Sequence, residues 1–302
     1  MSFRAPVSEY QFILNSVVGL NQVVATERFS DATEDVSSAI LTEAAKLCDE
    51  VLAPLQRSGD REPARLENGV VRTSPGFADG YRAIAEGGWI GISASPEHGG
   101  MGLPVALATA VNEMMSGACL SLQLAPLMSQ GQIEALEHHA SDAIKALYLP
   151  KLVSGAWTGT MNLTEPQAGS DVGALRTAAV PNDDGTYAIT GQKIYISWGD
   201  HDVAENVCHL VLARLPDGVA GTKGISLFLV PKRLPDQKGN AGAANSLNVV
   251  SLEHKMGLHG SPTAVMQFDG ATGWLVGEPN KGMATMFTMM NNARLGVGCQ
   301  GI

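Results

Sequence analysis

The periodicity of this chain changes at Ala156, and that change constrains the fold more than any single residue. Up to that point apolar residues recur at helical spacing, as in Val36, Ile40, Leu41, Ala44, Leu47, Val51 and Leu52. Asp31 with Glu34 reads as a variant capping box opening that helix, and Pro54 with Ser58 and Gly59 as its end. Residues 77–89 give a second helix closed by Gly87 and Gly88, and residues 96–102 a Gly-rich loop. Residues 103–118, 120–138 and 142–152 give further helices, stopped by Gly155. After Ala156 short β-type runs alternate with turn residues, at 157–163, 186–197, 207–215, 224–230, 247–252 and 263–268. Residues 182–185 are a turn between two of them, and the Gly- and Ala-rich stretch 235–246 reads as a mobile loop. Helical spacing resumes after Asn280 with Met283, Met286, Phe287, Met290 and Leu295. The expected class is α+β: a helical domain over 1–154, a β-barrel or sandwich over 155–278, and the first part of another helical domain over 279–302. That last helix is still apolar at Ile302, which reads as a cut inside a longer domain.

Composition narrows the partners. The net charge of −10 opposes non-specific attachment to nucleic acid or to anionic membranes. A local basic patch for a phosphate is compatible with it. Cys48, Cys119, Cys208 and Cys299 are scattered, without a C-x-x-C pair, so neither a disulfide framework nor a zinc site is expected. The beginning MSFRAPVSEY has no apolar signal core, and no run approaches the roughly 18 apolar residues of a membrane span. These features fit a cytoplasmic protein with reduced thiols.

Two motifs carry chemistry. Residues 161–171, MNLTEPQAGSD, end a strand and pack a hydroxyl, a Pro turn and small residues into one bend. Thr164, Glu165 and Pro166 turn backbone amides and a hydroxyl outward. Ala168, Gly169 and Ser170 leave room for a phosphate-bearing ligand to approach the chain. Residues 191–197, GQKIYIS, form a second strand that offers the Tyr195 ring and the Ser197 hydroxyl. A flat apolar ring with a polar edge is held by such groups: faces packed, edge satisfied by backbone and hydroxyls.

Together the motifs resemble the flavin-cradling loops of the acyl-CoA dehydrogenase family, and the resemblance runs over nearly the whole chain. It implies FAD as cofactor. Met161, Leu163 and Thr164 would hold the pyrimidine side of the flavin, and Tyr195 would pack on the ring in place of the usual Trp. Ser197 would reach N5 in place of the usual Thr, and Ser170 would meet both the pyrophosphate and the substrate's pantetheine arm. Residues 96–103, 255–261 and 278–283 also match family loops, with His259 a turn or core residue. Leu122, Leu124, Leu127 and Met128 align with the acyl-pocket wall, where helix core is an equal reading. In the run Asn291-Asn292-Ala293-Arg294, Asn291 and Arg294 match positions at the CoA substrate.

Some family members carry the catalytic Glu immediately before that Arg. Here the position holds Ala293, so the base is expected beyond Ile302 and none is assigned within the chain. The opening segment, with residues 197–201 and 259–262, resembles a larger bacterial subgroup acting on 3-methylmercaptopropionyl-CoA or fatty acyl-CoA thioesters. The implied reaction is α,β-dehydrogenation of an acyl-CoA to the 2,3-enoyl-CoA, electrons leaving to an electron-transfer flavoprotein. A homodimer or homotetramer is the implied assembly. The alternatives are an acyl-CoA oxidase or flavin monooxygenase on the same scaffold, or a non-catalytic relative that binds a partner or nucleic acid. The acidic balance and intact motifs argue against the last.

Overall fold

The computed structural model describes residues 3–301; Met1, Ser2 and Ile302, the outermost residues of the first and third expected domains, lie outside the described residues. The helical part comprises α1 (Val7–Phe12), α2 (Leu20–Val24), α3 (Glu34–Lys46), α4 (Ala53–Arg61), α5 (Phe77–Glu86), α6 (Val105–His139) and α7 (Asp142–Val153). Thr33, not Asp31, caps α3, its hydroxyl accepting from the Val36 amide. Asp31 sits in the preceding turn, closed by the bond from Ala32 N–H to Phe29 C=O at 3.0 Å. Pro54 does not end the helix either. It occupies the first turn of α4, where a missing N–H costs nothing, after a wide π-helical turn at Leu47–Leu52.

The two helices expected at 103–138 run end to end as α6, with a single break at Cys119 (φ −153°, ψ 85°). By length and composition α6 alone among the described helices could cross a membrane, but 56% of its most apolar stretch is buried inside the protein. It is the core helix, with Leu107, Val111, Met115, Leu122 and Leu136 enclosed by the others. A hairpin absent from the sequence reading, β1 (Arg65–Glu67) with β2 (Val70–Arg72), interrupts the helices. Asn68 and Gly69, at φ 51° and 77°, supply the two left-handed residues its tight turn needs.

From Trp157 the chain is β: β3 (Trp157–Asn162), β4 (Ala178–Pro181), β5 (Tyr187–Ser197), β6 (Asn206–Arg214), β7 (Ile225–Pro231), β8 (Arg233–Pro235), β9 (Ala241–Ala244), β10 (Leu247–Leu252) and β11 (Thr263–Val276). Between sandwich and barrel, the pairing decides for a barrel. The ladder β11–β5–β4–β6 is closed by β7, which pairs with both β6 and β11, while β10 and β3 extend it at the edges. Inside lie Ile189, Val211, Phe228, Val230, Met266 and Phe268. Leu210, Leu212, Leu227 and Leu229 point the other way, into the helical core. Coverage on both faces explains why β6 and β7 are buried along nearly their whole length instead of at alternate residues. The expected mobile loop at 235–246 is instead the β8–β9 hairpin. The Asp236 carboxylate holds its turn by accepting from the Lys238 and Asn240 amides, each at 2.8 Å. A last helix, α8 (Gly282–Cys299), lies against α6 and β7.

Candidate functional site

The site is built where β3 runs out. Two side chains of α6 fix that strand: Ser129 Oγ accepts from the Gly159 amide at 3.0 Å and Gln132 Oε1 from the Thr160 amide at 3.0 Å. The small Gly159 permits the approach, since a Cβ there would stand 2.5 Å from Gln132 Oε1. Met161 and Leu163 are half-buried against the helical core, and Thr164 is half-buried. The chain then bends, with Glu165 and Ala168 exchanging backbone hydrogen bonds of 3.0 Å, and Gly169 and Ser170 emerge exposed.

Strand β5 comes alongside. The Ile194 amide donates to Thr164 C=O at 2.9 Å, so the two sequence motifs meet through the backbone. Between the pairs Lys193↔Met266 and Ile196↔Ala264 the ladder slips, so Ile194 and Tyr195 together oppose one residue of β11. This bulge holds Tyr195 at φ 61° and turns its ring out, 59% exposed. A non-glycine residue in that region marks a local constraint. Ser197, half-buried, pairs with Thr263. Trp198 then plunges inward, donating from Nε1 to Ser121 C=O at 3.1 Å and stacking on Phe77 at 6.4 Å. The backbone thus sets Leu163 and Thr164 beside the strand that carries Tyr195 and Ser197, with Met161 before them on β3 and Ser170 after them on the loop. Among the described residues no hydrogen bond engages the hydroxyls of Thr164, Ser170 or Ser197.

Asn291 and Arg294 stand apart on α8. They are joined to each other, Arg294 Nη1 donating to Asn291 Oδ1 at 2.9 Å, and the guanidinium lies 5.1 Å from the Phe287 ring. Ala293 is buried. Asn292, between them, donates to Glu134 of α6 at 2.8 Å. Of the residues aligned with a pocket wall, Leu122, Leu127 and Met128 are buried and Leu124 is half-buried. Leu127 touches Gly296 of α8, and Leu122 faces Gly80 of α5. His259 is a turn residue, bonded to Asp60 Oδ1 at 2.9 Å.

Sequence reading missed the groups that hold the site. Glu165 is buried under the bend, and its carboxylate accepts from Lys193 Nζ (2.9 Å), Gln167 Nε2 (2.6 Å), the Thr177 hydroxyl (2.6 Å) and the Arg176 and Thr177 amides (2.7 and 3.0 Å). Burial alone would raise its pKa. The Lys193 charge and these donors outweigh burial and hold it down to about 2. Burial pushes Lys193 down to about 8 against the pull of Glu165. The signal was available: Lys193 occupies an inward position of β5, where a charge needs a partner. Arg214 on β6 is another anchor, donating to the carbonyls of Gly173, Leu175, Val219 and Gly221. His201 and His209 are buried against Thr158 and Thr160, each at 2.7 Å, and burial with the Lys232 charge pushes both down to about 3, so both are neutral. Val203 N–H donates to His201 Nδ1, which assigns the ring proton to Nε2. Among the described residues no cluster of His, Cys, Asp and Glu could hold a metal.

Both domains match known proteins. Residues 34–156 match the acyl-CoA dehydrogenase N-terminal domain, and residues 160–271 the acyl-CoA dehydrogenase middle domain. The chain is 49% identical over its whole length to a 3-methylmercaptopropionyl-CoA dehydrogenase of Ruegeria pomeroyi, of which it covers 51%. It is 37% identical, over 96% of its length, to a butyryl-CoA dehydrogenase of Syntrophomonas wolfei, of which it covers 50%. The structure of butyryl-CoA dehydrogenase from Megasphaera elsdenii superposes with a TM-score of 0.72 at 24% identity, over 88% of this chain and 64% of that one, a likeness of fold. The chain spans about half the length of the curated relatives it matches. With both domains matched in sequence and in the observed order, the chain belongs to the acyl-CoA dehydrogenase family.

Proposed function

We propose that the full-length form of this protein is a flavoprotein that oxidises an acyl-CoA thioester to the 2,3-enoyl-CoA. The observation that carries this reading is the meeting of residues 163–164 with residues 194–197 beside an outward-turned aromatic ring. The residues fit FAD: the Tyr195 ring is exposed on its bulge, the hydroxyls of Thr164, Ser170 and Ser197 are uncommitted, and a Cβ added at Gly169 would meet only Thr164 Cγ2, at 3.8 Å. FAD, when bound, supplies the acceptor for a hydride from the β-carbon of the acyl chain. Met161, Leu163 and Thr164 hold its pyrimidine side, Tyr195 covers a ring face, and Ser197 directs a hydroxyl to N5. A donor aimed where charge builds is worth most in the transition state. Ser170 binds the pyrophosphate and pantetheine, and Asn291 with Arg294 binds the CoA portion. Such contacts fix the acyl chain for reaction. Ala293 cannot take a proton, so the carboxylate that removes the α-proton comes from outside residues 1–302.

Identity to the Ruegeria pomeroyi protein supports 3-methylmercaptopropionyl-CoA as the first substrate to try, and identity to the Syntrophomonas wolfei protein a short fatty acyl-CoA. An electron-transfer flavoprotein is the proposed acceptor, and a homodimer or homotetramer in the cytoplasm the proposed assembly. The test is anaerobic mixing of the purified full-length protein with a panel of acyl-CoA thioesters while the flavin band is followed. Bleaching by one of them, with slow reoxidation in air and fast reoxidation by an electron-transfer flavoprotein, is the expected result. Fast reoxidation by air identifies an oxidase or monooxygenase, and a protein without flavin a non-catalytic relative. Residues 1–302 alone are expected to turn over no acyl-CoA.

A further inference from the structure

We propose that Glu165 and Lys193 form a positioning pair that closes the loop over residues 163–177 and so presents Thr164 and Ser170 to the cofactor. The inference rests on the flavin reading above, but its evidence is the chain's own geometry. Lys193 is fully buried, and its ammonium donates to Leu163 C=O at 3.0 Å as well as to Glu165 at 2.9 Å. One group therefore holds the start of the loop twice, on the residues flanking Thr164. The Glu165 carboxylate holds the end of the loop through the Arg176 and Thr177 amides and the Thr177 hydroxyl. Its second oxygen also takes Gln167 within the bend. Both ends of the loop converge on a single carboxylate, and the tip between them, Gly169 to Asp171, is exposed.

The cost of this arrangement argues for a role beyond stability. Two ions taken from water lose solvation, and their mutual attraction seldom returns more than an apolar pair of the same volume would. What a methionine pair cannot reproduce is the set of hydrogen bonds to Leu163, Gln167, Arg176 and Thr177. These bonds set the path of the loop, not its burial. Arg214 supports the same segment by a separate route, gripping Gly173 and Leu175. Glu165 and Lys193 act through the residues they place and do not themselves reach the ligand.

The experiment uses the full-length protein, stripped of flavin and titrated with FAD, with the melting temperature of the apo form followed in parallel. Lys193→Met or Glu165→Met alone leaves a lone buried charge, and both stability and FAD affinity fall. The double variant K193M/E165M decides the matter. Its melting temperature is expected to rise above those of the single variants, because no lone buried charge remains, while its FAD dissociation constant stays at least tenfold above that of the unmutated protein. Thr177→Val, nearly the same shape, keeps the ion pair and removes one bond to the carboxylate. It is expected to weaken FAD severalfold with a loss of melting temperature smaller than in either single methionine variant. Full recovery of FAD affinity in the double variant, or no effect of Thr177→Val, overturns the positioning role. An unmutated protein that takes up no FAD overturns the flavin reading first, and the pair's role with it.

Discussion

Replacing Gly159 by alanine tests whether the contact between β3 and α6 sets the site. The added methyl would stand 2.5 Å from Gln132 Oε1, 2.9 Å from its Cβ and 3.0 Å from its Cδ, all closer than carbon and oxygen tolerate. The glutamine cannot swing aside freely, because it is fully buried and its Oε1 holds the Thr160 amide. Overpacking costs about 1–3 kcal/mol and the threatened hydrogen bond about 1 more, so a loss of roughly 2–4 kcal/mol is expected. Urea unfolding reports it through the fluorescence of Trp157, buried on the same strand. Gln132→Ala removes the two contacts beyond Cβ, so the double variant should be less destabilised than the sum of the singles by at least ~1 kcal/mol. In the full-length protein FAD affinity should drop with Gly159→Ala, since the strand leads directly into Met161 and Thr164. A Gly159→Ala protein within about 0.5 kcal/mol of the original, or strict additivity with Gln132→Ala, refutes the reasoning.

The pKa of Glu165 lies below its ordinary value of 4.5, at about 2, so its ionised form stabilises the fold. That contribution, on the order of 3 kcal/mol, is complete above about pH 4.5 and is lost as pH falls toward about 2. Urea midpoints at neutral and acid pH should show the loss in the unmutated chain and a flatter profile in Glu165→Gln. Ser197→Ala in the full-length protein should slow flavin reduction by substrate more than it weakens FAD binding, measured by stopped-flow absorbance and equilibrium titration; an unchanged reduction rate removes Ser197 from its role. Burial pushes the thiols of Cys48 and Cys119 up to about 12 and 11 and raises those of Cys208 and Cys299 as well, but Cys299 alone of the four is half-exposed. In the native 302-residue chain one thiol, Cys299, should react promptly with a disulfide reagent, the others only after unfolding.

What the sequence determined by itself were the features that repeat or cluster along the chain. Helical spacing before Ala156 and short β runs after it are local consequences of which face each residue must bury, so the helical-then-β order was legible. The eleven residues 161–171 and the run 191–197 were legible because a tight bend and a strand end need particular residue types in sequence. The cap at Thr33 instead of Asp31 was not legible, because which of two polar residues two positions apart caps α3 depends on the turn that precedes it. The stretch 235–246 looked mobile because its small residues carry no pattern, yet Asp236 orders its turn through amides that only the folded hairpin aligns. Barrel closure was decided by tertiary structure alone, since β7 must find both β6 and β11. So was the choice of partner for Lys193, whose position on β5 signalled only that one was needed. Glu165 and Lys193 lie far apart in sequence, and nothing in a string of residues fixes the bulge that turns Tyr195 out or the register that brings Ile194 to Thr164. Long-range pairing is where the fold's free energy, not its local preferences, chooses among alternatives.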